Sequence, residues 1–392
     1  ESFIMANRNR VIYQSEGLFV SEDASLTGAS NAEQLGRVQS ANYSFTINRQ
    51  DVNQFGDLAR IDSLVLDPPT VSVDFSYYLA DGFNERALGF FVQNSGGANT
   101  QRGGGAASNT LGNFASGHLT AGSGVNMYIV TSPDGEDLNK GVSGSSEALN
   151  NLDTVIGIGN CYLSDYSLDL SVGSLPTVSV TMEGANMRST SSASTTGSPA
   201  IDQEAGTAWP HNIALPDPTE NGGVTGQYHQ APITALRPGD VTVSLTSVDG
   251  ESLADLAGDD GAHIQSVSVS LPLSRSPIQR LGSKFPFARD VDFPVDVTMS
   301  VSAVMNDTHS ANLVDILESG VQDVYFTIND PDGTTPAIRG DLKGVKLDSQ
   351  SFSSSIGSNK TVDLTFSTQV GGPNDEVNGF FMSGIGFNTV FS

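Results

Sequence analysis

The sequence predicts an all-β protein, and three observations lead to that prediction. Gly accounts for 42 of the 392 residues, and Ser, Thr and Asp are abundant, which is typical of many short strands joined by turns. Several segments alternate apolar and polar residues with a period of two, as half-buried strands do. These segments also occur twice in the same order, so the strands form two sets. We expect one short helix in each set.

The clearest repeat is a block from Cys161 to Met182 that returns from Val345 to Phe366. Eight of the nineteen positions from Leu163 to Thr181 carry the same residue in both copies, which chance does not produce. The Gly-Ser pair in each copy predicts a hairpin turn. The identical residues are Leu163, Ser167, Ser171, Gly173, Ser174, Thr177, Val178 and Thr181 in the first copy, and Leu347, Ser351, Ser355, Gly357, Ser358, Thr361, Val362 and Thr365 in the second.

Three further pairs of segments repeat in the same order. The segments of the first pair alternate apolar and polar residues, those of the second are led by Pro, and those of the third end in Pro-Asp-Gly, a turn sequence. Because four elements keep their order, the duplicated object is a whole β domain. The pairs are 38–56 with 264–282, 69–79 with 294–304, and 126–135 with 324–333.

The repeats divide the chain into five parts. We predict a first domain over 38–184, which contains a Gly-rich loop over 93–124, and a second domain over 233–368. Residues 1–37 form an N-terminal strand or arm followed by a loop, 185–232 a Ser-, Gly- and Pro-rich linker or surface excursion, and 369–392 a C-terminal arm. The segment Val241 to Leu245 is expected to give the second domain the strand that the N-terminal segment gives the first.

The candidate helices follow the Pro-led strands. The first spans 84–92, with Asn84 as its N-cap, and the second spans 308–318, with Asp307 as its N-cap.

Composition argues against several classes of function. A net charge of -26, with only 18 basic residues, opposes sequence-independent binding of nucleic acid. The single Cys161 excludes an internal disulfide and is expected to be a small buried hydrophobic residue. We expect neither a membrane span nor export through a signal peptide, because the chain has no apolar run of the required length and its start lacks an apolar core.

The sequence contains no motif for catalysis or for binding a metal or cofactor. The five histidines stand at unrelated places without metal-ligand spacing, so we expect exposed or locally bonded imidazoles. Gly157-Ile158-Gly159 begins like a dinucleotide fingerprint but lacks the third Gly and the following helix. We predict that the protein is not an enzyme and has no cofactor, although a site assembled from scattered residues stays open.

One repeated strand has a polar face that suggests a function. Asp165, Ser167, Asp169 and Ser171 fall on one side of the strand and apolar residues on the other. Such a face is either an ordinary solvent-exposed surface or the wall of a water-filled pore.

The order of these elements resembles the major tail tube proteins of long-tailed bacteriophages. The segment from Gly159 to Leu163, followed by Ser171 to Pro176, is similar to that family's strand leading through a Gly-Ser turn into the next strand. The resemblance implies β-sandwich domains whose strands join a β-barrel shared by several chains, in rings that stack into a tube. Because the domain is duplicated, it implies three chains per ring with pseudo-sixfold symmetry.

The resemblance also implies partners and a location. The chain would associate with itself, a tape measure protein and tail-end proteins, DNA would pass without specific binding, and no membrane would be involved. The protein would lie in the virion tail after assembly in the host cytoplasm. We predict that Asp74, Asp165, Asp169 and Asp296 face the lumen, and that Arg102, Phe114, Phe380, Phe381 and Phe387 make contacts between rings.

Two other classes of protein compete with this interpretation. Duplicated β-sandwiches also occur in adhesins and carbohydrate-binding modules, which expose a platform of aromatic side chains. This chain has one Trp, and most of its Tyr and Phe residues fall at strand positions. A capsid decoration protein or a hydrolase has less support, since hydrolysis of a glycoside would need two paired carboxylates that the sequence does not identify.

Overall fold

A computed structural model of the chain describes somewhat more than half of its residues. The described residues are 11, 15–21, 33–66, 69–94, 113–120, 124–132, 138, 154–190, 236–237, 241–246, 263–282, 286, 288–304, 321–329, 336–354 and 359–384.

The described residues form twenty strands and two short helices, which confirms the all-β prediction. Neither helix has the length and apolar character needed to cross a membrane. The elements are β1 Glu16–Ser21, β2 Glu33–Gln34, β3 Val38–Thr46, β4 Arg49–Val52, β5 Asp62–Val65, β6 Thr70–Tyr78, α1 Phe83–Ala87, β7 Val92–Asn94, α2 Ser116–Thr120, β8 Val125–Thr131, β9 Thr154–Ser171, β10 Thr177–Gly184, β11 Asn186–Thr190, β12 Val241–Thr246, β13 His263–Pro272, β14 Arg275–Ile278, β15 Ala288–Val291, β16 Val295–Val304, β17 Gln322–Asn329, β18 Pro336–Ser353, β19 Thr361–Val370 and β20 Gly379–Gly384.

Eight antiparallel strands form a continuous main sheet in the order β18-β19-β16-β13-β9-β10-β6-β3. Four come from each half of the chain, and the two sets of four have the same internal order. Alternate residues along the six inner strands are buried, as the period of two predicts, whereas β3 and residues 346–353 of β18 are not buried. On β6, for example, Val71, Val73, Phe75 and Tyr77 point into the core.

The long strands β9 and β18 belong to two layers at once. The first part of β9 pairs with β8 and β11, and its second part pairs with β10 and β13 in the main sheet. In the same way, β18 pairs first with β17 and β20 and then with β19. At the change of partners the backbone is left-handed in both strands, at Asn160 with φ 54° and at Gly344 with φ 66°, two positions that correspond in the repeat. The apolar side chains of both layers form one core.

The sequence repeat is matched by a repeat of strand pairing. Thr177 lies opposite Asp169, and its repeat Thr361 lies opposite Ser353, the repeat of Asp169. A β-bulge interrupts both pairs of strands at the same place of the repeat. The hairpin of β4 and β5 and the hairpin of β14 and β15 begin and end at corresponding positions of the repeat. The two halves therefore share their registers as well as their order.

The strand predicted over 241–245 is present as β12. It pairs with β17, and the N-terminal strand β1 pairs with β8 at the matching place of the first half. The strands β11 and β20 also correspond, because each pairs with the first part of its long strand. The repeated pairing therefore continues past residues 184 and 368, where the sequence comparison ended.

The predicted helices and loop need correction. Helix α1 has five residues and starts after Gly82, which has a φ of 83°. Asn84 is therefore not its N-cap; its side chain bonds both the N–H and the carbonyl of Gly36. The predicted loop over 93–124 contains α2 and the end of β7, because apolar residues such as Phe114 give this segment a core contact. The predicted helix over 308–318, with Asp307, lies outside the described residues.

The turn at Gly173-Ser174 is confirmed. Gly173 has a φ of 88°, and the N–H of Ser174 donates to the carbonyl of Ser171, so β9 and β10 form a hairpin. The matching pair Gly357-Ser358 and both Pro-Asp-Gly turns lie outside the described residues.

An aromatic cluster joins the two halves of the chain. The ring of Phe114 lies 4.2 Å from that of Phe90 and 5.1 Å from those of Tyr166 and Phe380, measured between centroids. The N–H of Phe114 also donates to the carbonyl of Phe380 on β20, at 2.8 Å. Phe114, Phe380 and the neighbouring Phe381 are buried inside the chain. Because these three side chains are buried, little of their surface is accessible to a neighbouring chain. We therefore do not assign them to contacts between stacked rings of subunits. Arg102 and Phe387 lie outside the described residues.

Replacing Phe114 by Ala tests this placement. Loss of a buried aromatic ring leaves a cavity, so we expect the free energy of unfolding of the unassembled chain to fall by about 3–5 kcal/mol in denaturant titrations. The matched control is Phe55→Ala, at a fully exposed ring of the hairpin between β4 and β5, with an expected change within about 0.5 kcal/mol. If Phe114→Ala left the stability of the chain unchanged and impaired only assembly, the prediction that Phe114 contacts the next ring of subunits would be supported instead.

Candidate functional site

The main sheet has one apolar face, which packs on the core, and one polar face. A single row of paired residues crosses all eight strands of the polar face and consists of seven hydroxyl side chains and one lysine. In order the row is Ser40, Ser76, Ser179, Ser167, Ser270, Thr298, Ser367 and Lys346. The polar face is thus continuous across both halves of the chain.

The four aspartates predicted from the sequence all lie on this polar face. Asp74 and Asp165 lie opposite Thr181, one on each side, and the Thr181 hydroxyl donates to Asp74 at 2.8 Å. Asp169 follows Asp165 on β9 at an even spacing, so it is on the same face. Asp296 is exposed and accepts a hydrogen bond from the side chain of Gln369 at 2.8 Å. Partial burial raises the pKa of the Asp165 carboxyl.

The sequence interpretation missed two carboxylates of the polar face. Asp363 lies opposite Ser302 and Ser351, and Glu183 lies opposite Ser72. The signal was available, because each carboxylate keeps the period of two of its polar neighbours. Glu183 forms an ion pair of 2.9 Å with Arg289, at the edge of the polar face.

The polar face carries charge of mainly one sign. Within its eight described strands, Lys346 is the one Lys or Arg on this face, against the six carboxylates named above. Among the described residues no group of His, Cys, Asp and Glu side chains has the geometry to hold a metal ion. Chemically, this is a hydroxyl- and carboxylate-covered surface that repels phosphates.

The two halves of the main sheet join edge to edge where β13 pairs with β9. Pairing runs from Ser266 opposite Ser171 to Pro272 opposite Asp165. The apolar residues Leu271 and Leu273 of this junction are fully buried. The guanidinium of Arg275, just beyond β13, donates to the carbonyls of Leu163 at 3.3 Å and His118 at 3.1 Å. We call this contact the internal junction.

The outer edges of the main sheet are open in the described part of the chain. No described strand pairs with the second edge of β3 or with the second edge of β18 over 346–353. Apolar side chains are exposed at both edges: Phe45 is 57% exposed, Ile47 38% and Phe352 42%. Open edges with apolar side chains promote pairing with another chain.

The hairpins of β4 and β5 and of β14 and β15 also present apolar side chains to solvent. Phe55 and Leu58 near the tip of the first hairpin, and Leu281 at the tip of the second, are fully exposed. Gly56 and Gly282 occupy the tips with φ of 101° and 87°, a conformation that favours glycine.

Two predictions about individual residues have different outcomes. Cys161 is buried, and burial raises the pKa of its thiol to about 12, which confirms its expected role as a small hydrophobic residue. His118 is also buried, so the expectation of an exposed or locally bonded imidazole is wrong for it. Burial and the nearby Arg275 lower the pKa of its imidazole to about 3.

A buried carboxyl group lies behind the polar face, in the core. Glu85 of α1 accepts a hydrogen bond of 2.9 Å from the hydroxyl of Tyr77 on β6. Burial raises the pKa of the Glu85 carboxyl to about 7.

Comparisons with known proteins give partial structural similarities. No protein-family model and no curated protein matches the chain. The cap that terminates the tube of the anti-feeding prophage is similar over 41% of this chain and 95% of that chain, with 11% identity and a TM-score of 0.27. A baseplate chain of the same particle is similar over 40% of this chain and 98% of that chain, with 14% identity and a TM-score of 0.27. A tail chain of an empty gene transfer agent particle is similar over 33% of this chain and 90% of that chain, with 14% identity and a TM-score of 0.23. TM-scores of this size assign neither a fold nor a function.

The raised pKa of Glu85 predicts a dependence of stability on pH. The Glu85 carboxyl has a pKa of about 7 in the folded chain and 4.5 in the unfolded chain, so the folded chain binds the proton more tightly. Protonation of Glu85 therefore stabilises the fold, and this stabilisation is lost as the pH rises from about 4.5 to about 7. We expect the free energy of unfolding of the wild type to fall from pH 5 to pH 8 by on the order of 2–3 kcal/mol relative to Glu85→Gln. The exposed Glu376→Gln variant is the control and should follow the wild type. Parallel pH profiles for Glu85→Gln and the wild type would contradict the assignment.

Proposed function

We propose that the chain is a structural subunit of a phage-type tail tube. Three chains close into a ring with pseudo-sixfold symmetry, and stacked rings form a conduit with an acidic wall. The proposal rests on the main sheet and its edges, independently of the partial similarities reported above.

The observation that carries the proposal is the way the two halves of the chain join. They are related by a repeat, and they pair edge to edge into one sheet that, among the described residues, still has an open edge at each end. A unit that joins its own copy through its edges and keeps both outer edges open can continue with further chains until a barrel closes. Closure removes the open edges, which are otherwise sites of uncontrolled pairing.

The number of strands fits a channel. Three chains of eight strands each give a barrel of 24 strands, and barrels of 16 to 18 strands already leave a water-filled interior. The polar face is the natural inner surface, since the other face is occupied by the core of each chain. Lumen positions for Asp74, Asp165, Asp169 and Asp296 follow from this, and Asp363 joins them.

An acidic inner wall suits the passage of DNA. Contacts between basic residues and phosphates would bind the DNA and slow its movement, whereas carboxylates and hydroxyls hold it away from the wall. The partners in this proposal are other copies of the chain, a tape measure protein and tail-end proteins, in a virion tail assembled in the host cytoplasm. Catalysis and a cofactor have no part in it.

Nothing among the described residues favours the surface-binding alternative. The large aromatic rings there are mostly core residues, such as Phe90 and Tyr166, and Trp209 lies outside the described part.

Electron microscopy and a mass measurement test the proposed function. We expect the purified chain to form rings of three chains with threefold symmetry, and stacks of these rings, in negative-stain images and by mass photometry. A monomer at all concentrations, with neither rings nor tubes, would overturn the proposal.

The lumen assignment has its own test in the variant Ser179→Cys, which places an exposed thiol on the polar face while the native Cys161 stays buried. In assembled tubes we expect a small maleimide to label this cysteine and a large polymer-linked maleimide to label it at least tenfold more slowly, because the lumen wall is accessible only from the tube ends. Both reagents should label the unassembled chain. Equal labelling of tubes by the two reagents would place the polar face outside and contradict the acidic lumen.

A further inference from the structure

We propose that β3 of one chain pairs with residues 346–353 of β18 of a second copy, in the register that β13 and β9 use at the internal junction. This inference rests on the proposed function, because a ring needs a contact between chains, and it specifies which strands and residues make that contact.

The repeat relates the two strands of the internal junction to the two strands at the outer edges of the main sheet. Strand β3 is the copy of β13 in the first half, and the second part of β18 is the copy of the second part of β9 in the second half. In the chain, β13 and β9 are paired with each other, while no other described strand pairs with the outer edge of β3 or of this part of β18. The two open edges, β3 and the second part of β18, are therefore copies of β13 and β9, two strands that pair with each other.

The register follows from the internal pairs. Ser270 lies opposite Ser167 in the internal junction, and these residues correspond to Ser44 and Ser351. The predicted intermolecular pairs are Asn42 with Ser353, Tyr43 with Phe352, Ser44 with Ser351, Phe45 with Gln350, and Thr46 with Ser349. Asn42, Ser44 and Thr46 of β3 and the serines paired with them fall on the polar face, so the polar face continues from one chain to the next.

Burial shows what the open edges lack. Leu271 and Leu273 are 0% exposed in the internal junction, whereas Phe45 and Ile47 at the same repeat positions are 57% and 38% exposed. On the other edge, Leu168 is 1% exposed and its repeat Phe352 is 42% exposed. A second copy placed as in the internal junction covers all three exposed side chains.

The side chains at the predicted contact also compensate in size. In the internal junction, Leu271 lies opposite the large Tyr166. At the predicted contact the large ring is on the other strand, since Phe45 replaces the leucine and Gln350 replaces the tyrosine. An exchange of this kind keeps the filled volume similar.

One contact of the internal junction is not repeated at the outer edges. At the internal junction the guanidinium of Arg275 lies 5.1 Å from the ring of Tyr162, but the repeats of these residues are Arg49 and Lys346, two positive charges. The base of the hairpin between β4 and β5 is therefore expected to pack differently against the second copy.

Disulfide cross-linking tests the register. Directly opposite residues of an antiparallel pair have the short Cα separation that a disulfide needs, and residues displaced by two do not. Under a mild oxidant, the double variant Ser44→Cys with Ser351→Cys should give covalent dimers and trimers on non-reducing gels. The displaced variant Ser44→Cys with Ser353→Cys should give about tenfold less. The native Cys161 is buried and can stay in place.

The chain supplies a matched positive control. Ser167→Cys with Ser270→Cys places the same pair in the internal junction, and it should form a disulfide within one chain, at monomer mass. If this control cross-links and images show rings, but Ser44→Cys with Ser351→Cys stays monomeric or links no better than the displaced variant, the register is overturned and the proposed function stands. Cross-linked dimers of the 44 and 351 cysteines in the absence of rings would support the strand pairing and contradict the proposed ring of three chains. A disulfide of the 44 and 351 cysteines at monomer mass would overturn the pairing between chains.

A second pair of variants separates assembly from folding. Phe45→Ser should raise the protein concentration needed for assembly by about tenfold or more, because it removes apolar surface that the second copy buries, and it should leave the melting temperature of the unassembled chain unchanged. Leu271→Ser, at the same repeat position, should lower that melting temperature. Unaltered assembly of Phe45→Ser would contradict the inference.

Discussion

The pairing of strand edges is the constraint on which the rest of the structure depends. A strand inside a sheet satisfies its backbone on both sides, whereas an edge strand leaves a row of N–H and carbonyl groups without partners. This chain uses edge pairing to join its two halves through β13 and β9, and it leaves β3 and part of β18 at the outer edges. The core, the polar face and the proposed ring all follow from where those edges lie.

The alternation of residues along each strand gives the sheet two different faces. Apolar residues of β6, β9, β16 and their neighbours fill the core, and the intervening hydroxyl and carboxyl groups form the polar face. A one-residue slip at any strand pair would exchange the faces, so burial of the core also specifies the register of the polar face. The bulge that recurs in the pairings of β9 with β10 and of β18 with β19 shows that both halves keep this register in detail.

Period-two alternation and repetition made much of the fold predictable. They predicted the buried face of β6, the strand β12, the turn at Gly173 and the common face of Asp165 and Asp169. Contacts between residues far apart in the chain were not predictable from local patterns. Phe114 and Phe380 looked like surface residues because their neighbours are rich in Gly, yet they pack on each other from opposite halves of the chain. Asn84 was predicted to be a helix cap, but its side chain forms hydrogen bonds with the backbone N–H and carbonyl of Gly36.

In the proposed ring, duplication changes how the subunits are held together. Half of the edge contacts lie within a chain, where the covalent connection holds the partners at a high effective concentration and no association between molecules is needed. The other half must form between molecules, and they are the ones whose apolar residues are exposed in the single chain. Once the copies are joined, the two kinds of contact can diverge in sequence. Leu271 and Tyr166 of the internal junction correspond to Phe45 and Gln350 at the proposed contact, and we expect this divergence to give each contact a preference for its own partner strand. In the proposed ring, three duplicated chains take the place of six separate copies, so we expect closure to need fewer parts and to allow fewer wrong pairings.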